Sequence, residues 1–536
     1  MTDNKKPSAL DVIVIGAGFA GLYALHRLRS DGYSVRVLEA GGSIGGTWYW
    51  NRYPGARCDV ESMQYSFSFS DEIQREWKWS QLYAPQPEIL SYINFVADKL
   101  DLRRDIQVDT RVIAASFDEH ARLWEVRTES GEIFTAPFCV MATGCLSIPI
   151  IPSFPGMDSF KGEIYRTSDW PHEGVDLTGK RVGLIGTGSS GIQATPLLAE
   201  QVDHLYVFQR TPNYSIPALN RPMDAEYERD WKENYRDRRL AALDTRNNTL
   251  NEAGATLGSA VSREQREKEF ERRWNTMGGI SFMYAYPDMT SDPEVNAHAS
   301  EFVRSKIAST VRDPDVARKL MPSDYGIGGK RICVDTAYFE TFNRDNVTLT
   351  DVRSDPIETL TPTGVRTRSQ SFDLDVVVLA IGFDAMTGAL LRIDITGRNG
   401  VKLRDRWSEG PKTYIGMAIS GFPNMFVITG PGSPSVFTNM VTSIEQHVDW
   451  IADCIAHLKK KGFSAIEARP EAEEKWVAHV NEVANRTMMP NTNSWYVGAN
   501  IPGKPRIFMP YLGGAAVYKK VIDDVASQDY EGFGLA

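Results

Sequence analysis

Cysteine and histidine are scarce in this chain, with five cysteines and eight histidines among 536 residues. The cysteines (Cys58, Cys139, Cys145, Cys333 and Cys454) are odd in number and form no C-x-x-C pair. That excludes a disulfide framework and a dithiol redox centre, and it fits a reducing cytoplasm. The scattered histidines match no metal-ligand spacing. No apolar run approaches the roughly 20 residues that span a bilayer. The opening MTDNKKPSALD lacks the hydrophobic stretch of a secretory signal. Excess basic charge is absent too. The net charge of −10 is spread along the chain, which argues against nucleic acid or an anionic membrane as the main partner. What remains is an ordinary globular composition, 42% hydrophobic and 24% charged, over a length that suggests about two to four domains. Any chemistry is expected to come from a bound organic cofactor.

Two stretches have the form of a dinucleotide-binding turn. In LDVIVIGAGFAGLYALHRL a buried strand runs through a glycine turn into an amphipathic helix, and Gly16, Gly18 and Gly21 fit G-x-G-x-x-G. The first glycine permits the tight turn, the second lets backbone approach a pyrophosphate, and the third lets helix pack on strand. The helix N-terminus then offers free N–H groups to the phosphates. A second strand, YSVRVLEA, ends in Glu39, 23 positions after Gly16, where a carboxylate accepts hydrogen bonds from ribose hydroxyls. The pattern recurs in KRVGLIGTGSSGIQATPLL with Gly186, Gly188 and Gly191. Here the equivalent position holds Gln209, followed by Arg210 and Thr211. A carboxylate would repel a 2′-phosphate, whereas an arginine and a hydroxyl bind one. The first loop is expected to take a dinucleotide with a free ribose, and the second NADPH.

Further strands, FCVMATG (138–144) and LDVVVLAIGFD (374–384), end in small residues and are expected to return the chain near the cofactors, as in two-dinucleotide flavoproteins. Near the C-terminus, FPNMFVITGPGSPS is a buried strand entering a glycine- and proline-rich loop placed to close over a flavin ring. The stretch from about 221 to 315 is charge-rich and helical in period, and reads as an inserted helical subdomain with a solvated face. Two segments carry the chemistry. GGTWYWNRYPGARCD follows the strand that ends at Glu39 and closes with Asp59. A carboxylate near a cofactor needs a cationic partner, and GIGGKRICVD supplies Lys330 and Arg331, which are otherwise ordinary surface charges.

Taken together these motifs resemble the type I Baeyer–Villiger monooxygenases, in particular those that oxidise phenylacetone, steroids and linear ketones, from about residue 11 to the C-terminus. GGTWYWNRYPGARCD fits the family's flavin motif at Gly45, Gly46, Trp48, Tyr53, Pro54, Gly55 and Asp59. VFQRTP, GGKR, FNRDNV, GPGSPS, SIEQHV and SWYVGANIPGKPR also fit its pattern. The resemblance implies an α/β fold of two Rossmann-like dinucleotide-binding domains with a helical insertion. An FAD domain would comprise 1–145 and 388–536, an NADPH domain 146–220 and 316–387, and the insertion 221–315. It implies Arg331 as the catalytic arginine with Asp59 as its paired carboxylate. Lys330 would contact a phosphate, and Trp495 would sit in a mobile loop that closes on the nicotinamide nucleotide. It adds Gly46, Thr47, Trp48, Ser189, Ser190, Gln193 and Met440 to the cofactor-binding set, and Met440 with the 434–439 loop to the substrate pocket. The implied reaction uses FAD, NADPH and O2 to convert a ketone into an ester or lactone by way of a C4a-peroxyflavin. Partners are expected to be a small ketone and O2, with a monomer in the cytoplasm.

An oxygenase of nitrogen or sulfur with the same two nucleotide sites is the alternative, and the Asp59/Arg331 pair argues against it. One departure stands out. FKGEIYRTSDWP (160–171) matches the family fingerprint at Phe160, Gly162, Trp170 and Pro171 but has Arg166 where the fingerprint has histidine. Either a permanent cation serves a structural role there, or a titrating group is lost and coupling of NADPH use to oxygenation suffers.

Overall fold

The computed structural model describes residues 10–536. Two parallel five-stranded sheets dominate it. In the first, the spatial order of strands is Met425–Val427, Phe138–Met141, Val12–Ile15, Val35–Leu38 and Ile106–Gln107. In the second it is Val347–Asp351, His204–Gln209, Arg181–Ile185, Val376–Leu379 and Glu163–Arg166. The central strands are unbroken apolar runs because parallel sheets are covered on both faces. All four residues of Val12–Ile15 and all four of Val376–Leu379 are buried. Each sheet places a Rossmann strand at its centre, so the glycine turns after Ile15 and Ile185 open at the carboxyl ends of the strands, where such sheets bind ligands.

Matching partners flank the two centres. Val12–Ile15 lies between Val35–Leu38 and Phe138–Met141, and Arg181–Ile185 lies between His204–Gln209 and Val376–Leu379. The stretch with the histidine-to-arginine departure forms the edge of the second sheet. Its Glu163–Arg166 strand pairs in parallel with Val376–Leu379, while Phe160 and Trp170 are buried at its two ends.

The chain leaves the second sheet after Ser215–Pro217 and returns at Cys333–Asp335, and these two short strands pair in parallel. Between them lie the helices Ala225–Glu233, Tyr235–Leu243, Arg263–Thr276, Pro293–Thr310 and Pro314–Leu320. Their starts are written in the sequence. Asp224 and Asp292 cap with their carboxylates, Ser262 and Gln265 form a reciprocal capping box, and Asp313 caps a helix that opens on proline.

This segment has no core of its own. Trp231 and Tyr235 join the core of the first sheet, whereas Phe270, Phe282 and Phe302 join that of the second. Its charge-rich helices are not wholly solvated either. Arg273 is 1% exposed and donates to Glu269 and the Ser281 carbonyl, which explains a cation in the interior. The helix Pro314–Leu320 runs through the expected boundary at 315. Among the described residues no helix is long and apolar enough to cross a membrane.

Candidate active site

The first loop is formed by Gly16 at φ +105°, a left-handed value that favours glycine. A Cβ on Gly16 would lie 2.5 Å from the Ala142 carbonyl oxygen, and one on Gly21 would lie 1.8 Å from that of Gly16. Both glycines are therefore fixed by close backbone packing. Gly18 heads the helix Phe19–Ser30, and Gly46 of the tryptophan-rich motif packs over it, with 3.4 Å between a Gly18 Cβ and the Gly46 Cα. Thr47 and Trp48 follow in a short helix, Thr47–Trp50, and Trp48 is buried with its indole N–H on the Tyr65 hydroxyl at 3.2 Å. Glu39 is 5% exposed and accepts from the Ala17 and Gly41 amides at 2.6 and 2.7 Å. Burial raises its pKa above the ordinary carboxylate value, against those two N–H groups. It stands beside the turn, as a ribose acceptor must.

The second loop repeats the scaffold. Gly186 has φ +111°, its Cβ would lie 2.4 Å from the Ala380 carbonyl, and that of Gly191 would lie 2.1 Å from Gly186. Gly188 differs from Gly18 in that a Cβ there meets nothing within 4 Å. Gly188 and Ser189 are exposed. Gln209 is buried and donates to the Lys319 carbonyl at 2.7 Å, so it presents no charge to the loop. Arg210 is exposed and has no ion pair among the described residues. Lys330 lies 4.8 Å over the Tyr325 ring. Burial lowers the Lys330 pKa, and the charges of Arg210 and Arg353 add to the effect. Three cations thus share one neighbourhood, with Asp324 paired to Arg353 at 2.8 Å. Such a site favours an anion. Thr211 lies next to this group, and its carbonyl accepts from the Thr187 hydroxyl at 3.0 Å.

Gln193 stands apart from the other expected cofactor contacts. Its amide donates to the Arg57 carbonyl at 3.1 Å, and its oxygen accepts from the Tyr53 hydroxyl at 2.7 Å. Gly55 (φ +90°) presses on the same turn of helix, since its Cβ would lie 2.2 Å from the Gln193 carbonyl oxygen. The Y-P-G of the aromatic motif is thus a joint between the two sheets.

Asp59 and Arg331 meet across that joint. Arg331 Nη2 donates to Asp59 Oδ2 at 2.6 Å, and Nη1 donates to the Val436 carbonyl at 2.8 Å. Burial works against the guanidinium charge, but Asp59 and the phenols of Tyr496 and Tyr284 outweigh it and raise the pKa further. Arg331 owes its position to the strand Cys333–Asp335. Cys333 lies 3.5 Å from Ser189 at the head of the second loop's helix, which ties the arginine to that loop. The pair lines a pocket with Val60, Phe437 and Thr438 from the flavin-side segments and Asn247 from the insertion. Met440 and Trp495 lie outside this lining, in an apolar cluster with Cys145, Met386 and Met509. Trp495 packs against Tyr496 with the rings tilted by 54° and their centroids 4.3 Å apart, and so adjoins the arginine through it. Tyr284 has no signature in the sequence, whereas Tyr496 lies in the SWYVGANIPGKPR stretch and Val436 in the 434–439 loop, neither of which announces a contact with the arginine. Arg166 is half-exposed, with its guanidinium 3.7 Å from Asp169 in the same turn.

The residues fit two dinucleotides. Each loop provides a helix N-terminus, a glycine turn and the appropriate charge: a carboxylate at the first, cations at the second. Fold and site define a two-dinucleotide oxidoreductase whose nucleotide loops flank an arginine–carboxylate pair. The family model for pyridine nucleotide-disulphide oxidoreductases matches residues 13–237. A Baeyer–Villiger monooxygenase of Pseudooceanicola batsensis is 44% identical over 99% of this chain and 97% of its own length. A phenazine N-monooxygenase of Lysobacter antibioticus is 41% identical over 100% and 98%. Among solved structures, an oxidised steroid monooxygenase with NADP superposes with a TM-score of 0.95 at 50% identity, covering 98% of this chain and 99% of that one. An OTEMO complex with FAD and NADP gives 0.95 at 41%, covering 99% and 100%. The chain belongs to the Baeyer–Villiger monooxygenase family.

Proposed function

We propose that this protein is an NADPH- and O2-consuming flavoprotein that converts ketones into esters or lactones. The Asp59–Arg331 pair carries the reading, because it places a permanent cation at a pocket between the two nucleotide loops. FAD belongs at the first loop, with Glu39 on its ribose and Gly46, Thr47 and Trp48 over its phosphates and ring side. NADPH belongs at the second, with Arg210, Thr211 and Lys330 toward the 2′-phosphate. Ser189 and Ser190 head that helix. The boundaries follow the same division: 1–145 with 388–536 for FAD, 146–220 with 316–387 for NADPH, and 221–315 as the insertion. The five buried, unpaired cysteines accord with a reducing cytoplasm.

Bound FAD, reduced by NADPH, supplies the activation of O2 that delivers one oxygen atom to the substrate. The chain's own residues provide the charge and the geometry. A guanidinium has five N–H groups, and Arg331 commits two to Asp59 and Val436. Those two bonds fix its plane, a further N–H faces the Tyr496 phenol, and the guanidinium keeps N–H capacity to donate to oxygen that becomes negative as the ketone carbonyl turns tetrahedral. Preorganised donors of this kind are worth about 3–4 kcal/mol each. Asp59 keeps the arginine oriented and charged. Gln193, Tyr53 and Gly55 hold the sheets at the spacing this needs, and the Arg166–Asp169 contact serves a structural turn at the sheet edge.

The experiment is to incubate the FAD-loaded protein with NADPH, O2 and a methyl ketone and to analyse products by gas chromatography. Ketone-dependent ester is expected. NADPH oxidation without ester from any ketone refutes the reading. Similarity to a phenazine N-monooxygenase keeps nitrogen oxygenation as the second reading, so an aza-arene belongs in the same panel. N-oxide formed in place of ester selects it.

A further inference from the structure

The pocket beside Arg331 is more polar than a plain alkyl ketone requires. Its apolar surface comes from Val60, Ile280, Val436 and Phe437. The rest includes Glu61, Tyr83 and Asn247. Tyr83 is 4% exposed, and its hydroxyl has no hydrogen-bond partner among the described residues; its bonds are made by backbone atoms alone. The ring is buried but the hydroxyl is reached from the pocket, where a ligand group can pair with it. Glu61 gives the second sign. Its Oε2 takes both the Tyr227 hydroxyl, at 2.6 Å, and the Gln64 amide, at 3.2 Å, while Oε1 takes no donor. Tyr83 and Glu61 line the same pocket, with the Tyr83 hydroxyl 3.0 Å from where a Cβ on Gly279 would lie. Burial together with the Glu61 and Asp59 carboxylates raises the phenol's pKa.

Charge narrows the choice. Asp59 is ion-paired with Arg331, whereas Glu61, the other carboxylate on the lining, has no ion pair among the described residues. It accepts a donor and repels an anion.

We propose that the ketone oxidised here carries a hydroxyl or other hydrogen-bond donor remote from its carbonyl, received by Glu61 Oε1 beside the Tyr83 phenol. Ketones with a remote carboxylate are rejected. The assignment rests on the monooxygenase reading of the same pocket and specifies its substrate class. Hydrogen bonds to charged groups in buried sites discriminate by about tenfold to a hundredfold.

The test uses the FAD-loaded enzyme with NADPH and three matched chain-length series: 2-alkanones, ω-hydroxy-2-alkanones and ω-carboxy-2-alkanones. Ester yield and kcat/KM are measured, and Kd is measured by calorimetry on the oxidised, NADP-bound enzyme. At the best chain length the hydroxy ketone should exceed its alkanone by about tenfold or more in kcat/KM and in affinity, with the carboxylate last. Tyr83→Phe and Glu61→Gln should each shrink the hydroxy-to-alkyl ratio. Tyr83→Phe removes a single oxygen, so it carries the test even if Glu61→Gln does not fold. An alkanone equal to or better than its hydroxy partner at every length overturns the assignment. So does preference for the carboxylate, or a ratio unchanged in Tyr83→Phe. Equal turnover of all three series defeats this assignment alone, whereas no ester from any of them defeats the monooxygenase reading.

Discussion

Both nucleotide loops turn on a left-handed glycine and close on a glycine pressed against that turn, but only the first is roofed. Gly46 covers Gly18, Phe19 is buried behind it, and Glu39 is nearly inaccessible. Over Gly188 there is open space, Ser189 is exposed, and the charge that answers Glu39 is the exposed Arg210. The difference suits two kinds of nucleotide. One stays bound through many turnovers, and its site is built into the interior. The other must enter and leave in each cycle, so its site is open and its recognition is electrostatic.

Substitutions that treat the loops as equals should therefore give unequal results. The largest effect is expected at Gly21→Ala, where the new Cβ meets a backbone oxygen at 1.8 Å. It should cost about 3 kcal/mol of stability or prevent folding. Gly188→Ala should leave the melting temperature within a few degrees, at a cost of about 1 kcal/mol or less, yet weaken NADP binding measured by titration. Gly191→Ala, whose Cβ would lie 2.1 Å from the Gly186 carbonyl, should be as costly as Gly21→Ala. Gly18→Ala, whose Cβ would lie 3.4 Å from Gly46, should cost more than Gly188→Ala. If Gly18→Ala and Gly188→Ala melt alike, the contrast between roofed and open loops is wrong.

Next in size is Arg210→Ala. It should raise KM for NADPH about tenfold, the scale of one charge-assisted contact, with little change for NADH. Equal changes for both would remove Arg210 from 2′-phosphate recognition.

The smallest effect concerns pH. Glu39 has a folded pKa raised above 4.5 by burial, so its protonated form is favoured by folding. Its contribution to apoprotein stability is then fully present below about pH 4.5 and is lost as pH rises through the raised value. Melting curves against pH should show this slope in the wild type and not in Glu39→Gln. Gln209 introduces no such term, and Gln209→Ala should keep the wild-type slope.

Much of this was legible in the sequence because it is local. The glycine spacings, the strand before each turn and the change from Glu39 to Gln209 and Arg210 all lie within single βαβ units, whose geometry is fixed by a few residues. The caps at Asp224, Ser262, Asp292 and Asp313 are local as well. Legibility fails where contacts join distant segments. Family likeness puts Gln193 among the cofactor residues, but nothing in the sequence announces the hydrogen bonds of its amide to Tyr53 and Arg57, more than a hundred positions away. The insertion looks like one helical unit by charge and period, yet its aromatics divide between two cores. Asp59 and Arg331 are 272 residues apart, and their meeting was expected from family likeness, since no spacing rule brings them together. Tyr284, Tyr496 and the Val436 carbonyl reach Arg331 through packing, which a one-dimensional pattern does not record.

In the proposed reaction Arg331 serves oxygen transfer and not nucleotide-driven reduction. The most direct test is Arg331→Ala, followed by stopped-flow reduction of the bound flavin with NADPH and by ester yield from a methyl ketone. Reduction should stay near the wild-type rate while ester formation falls by about 10²–10³ or disappears. Ester formation at close to the wild-type rate would contradict the account.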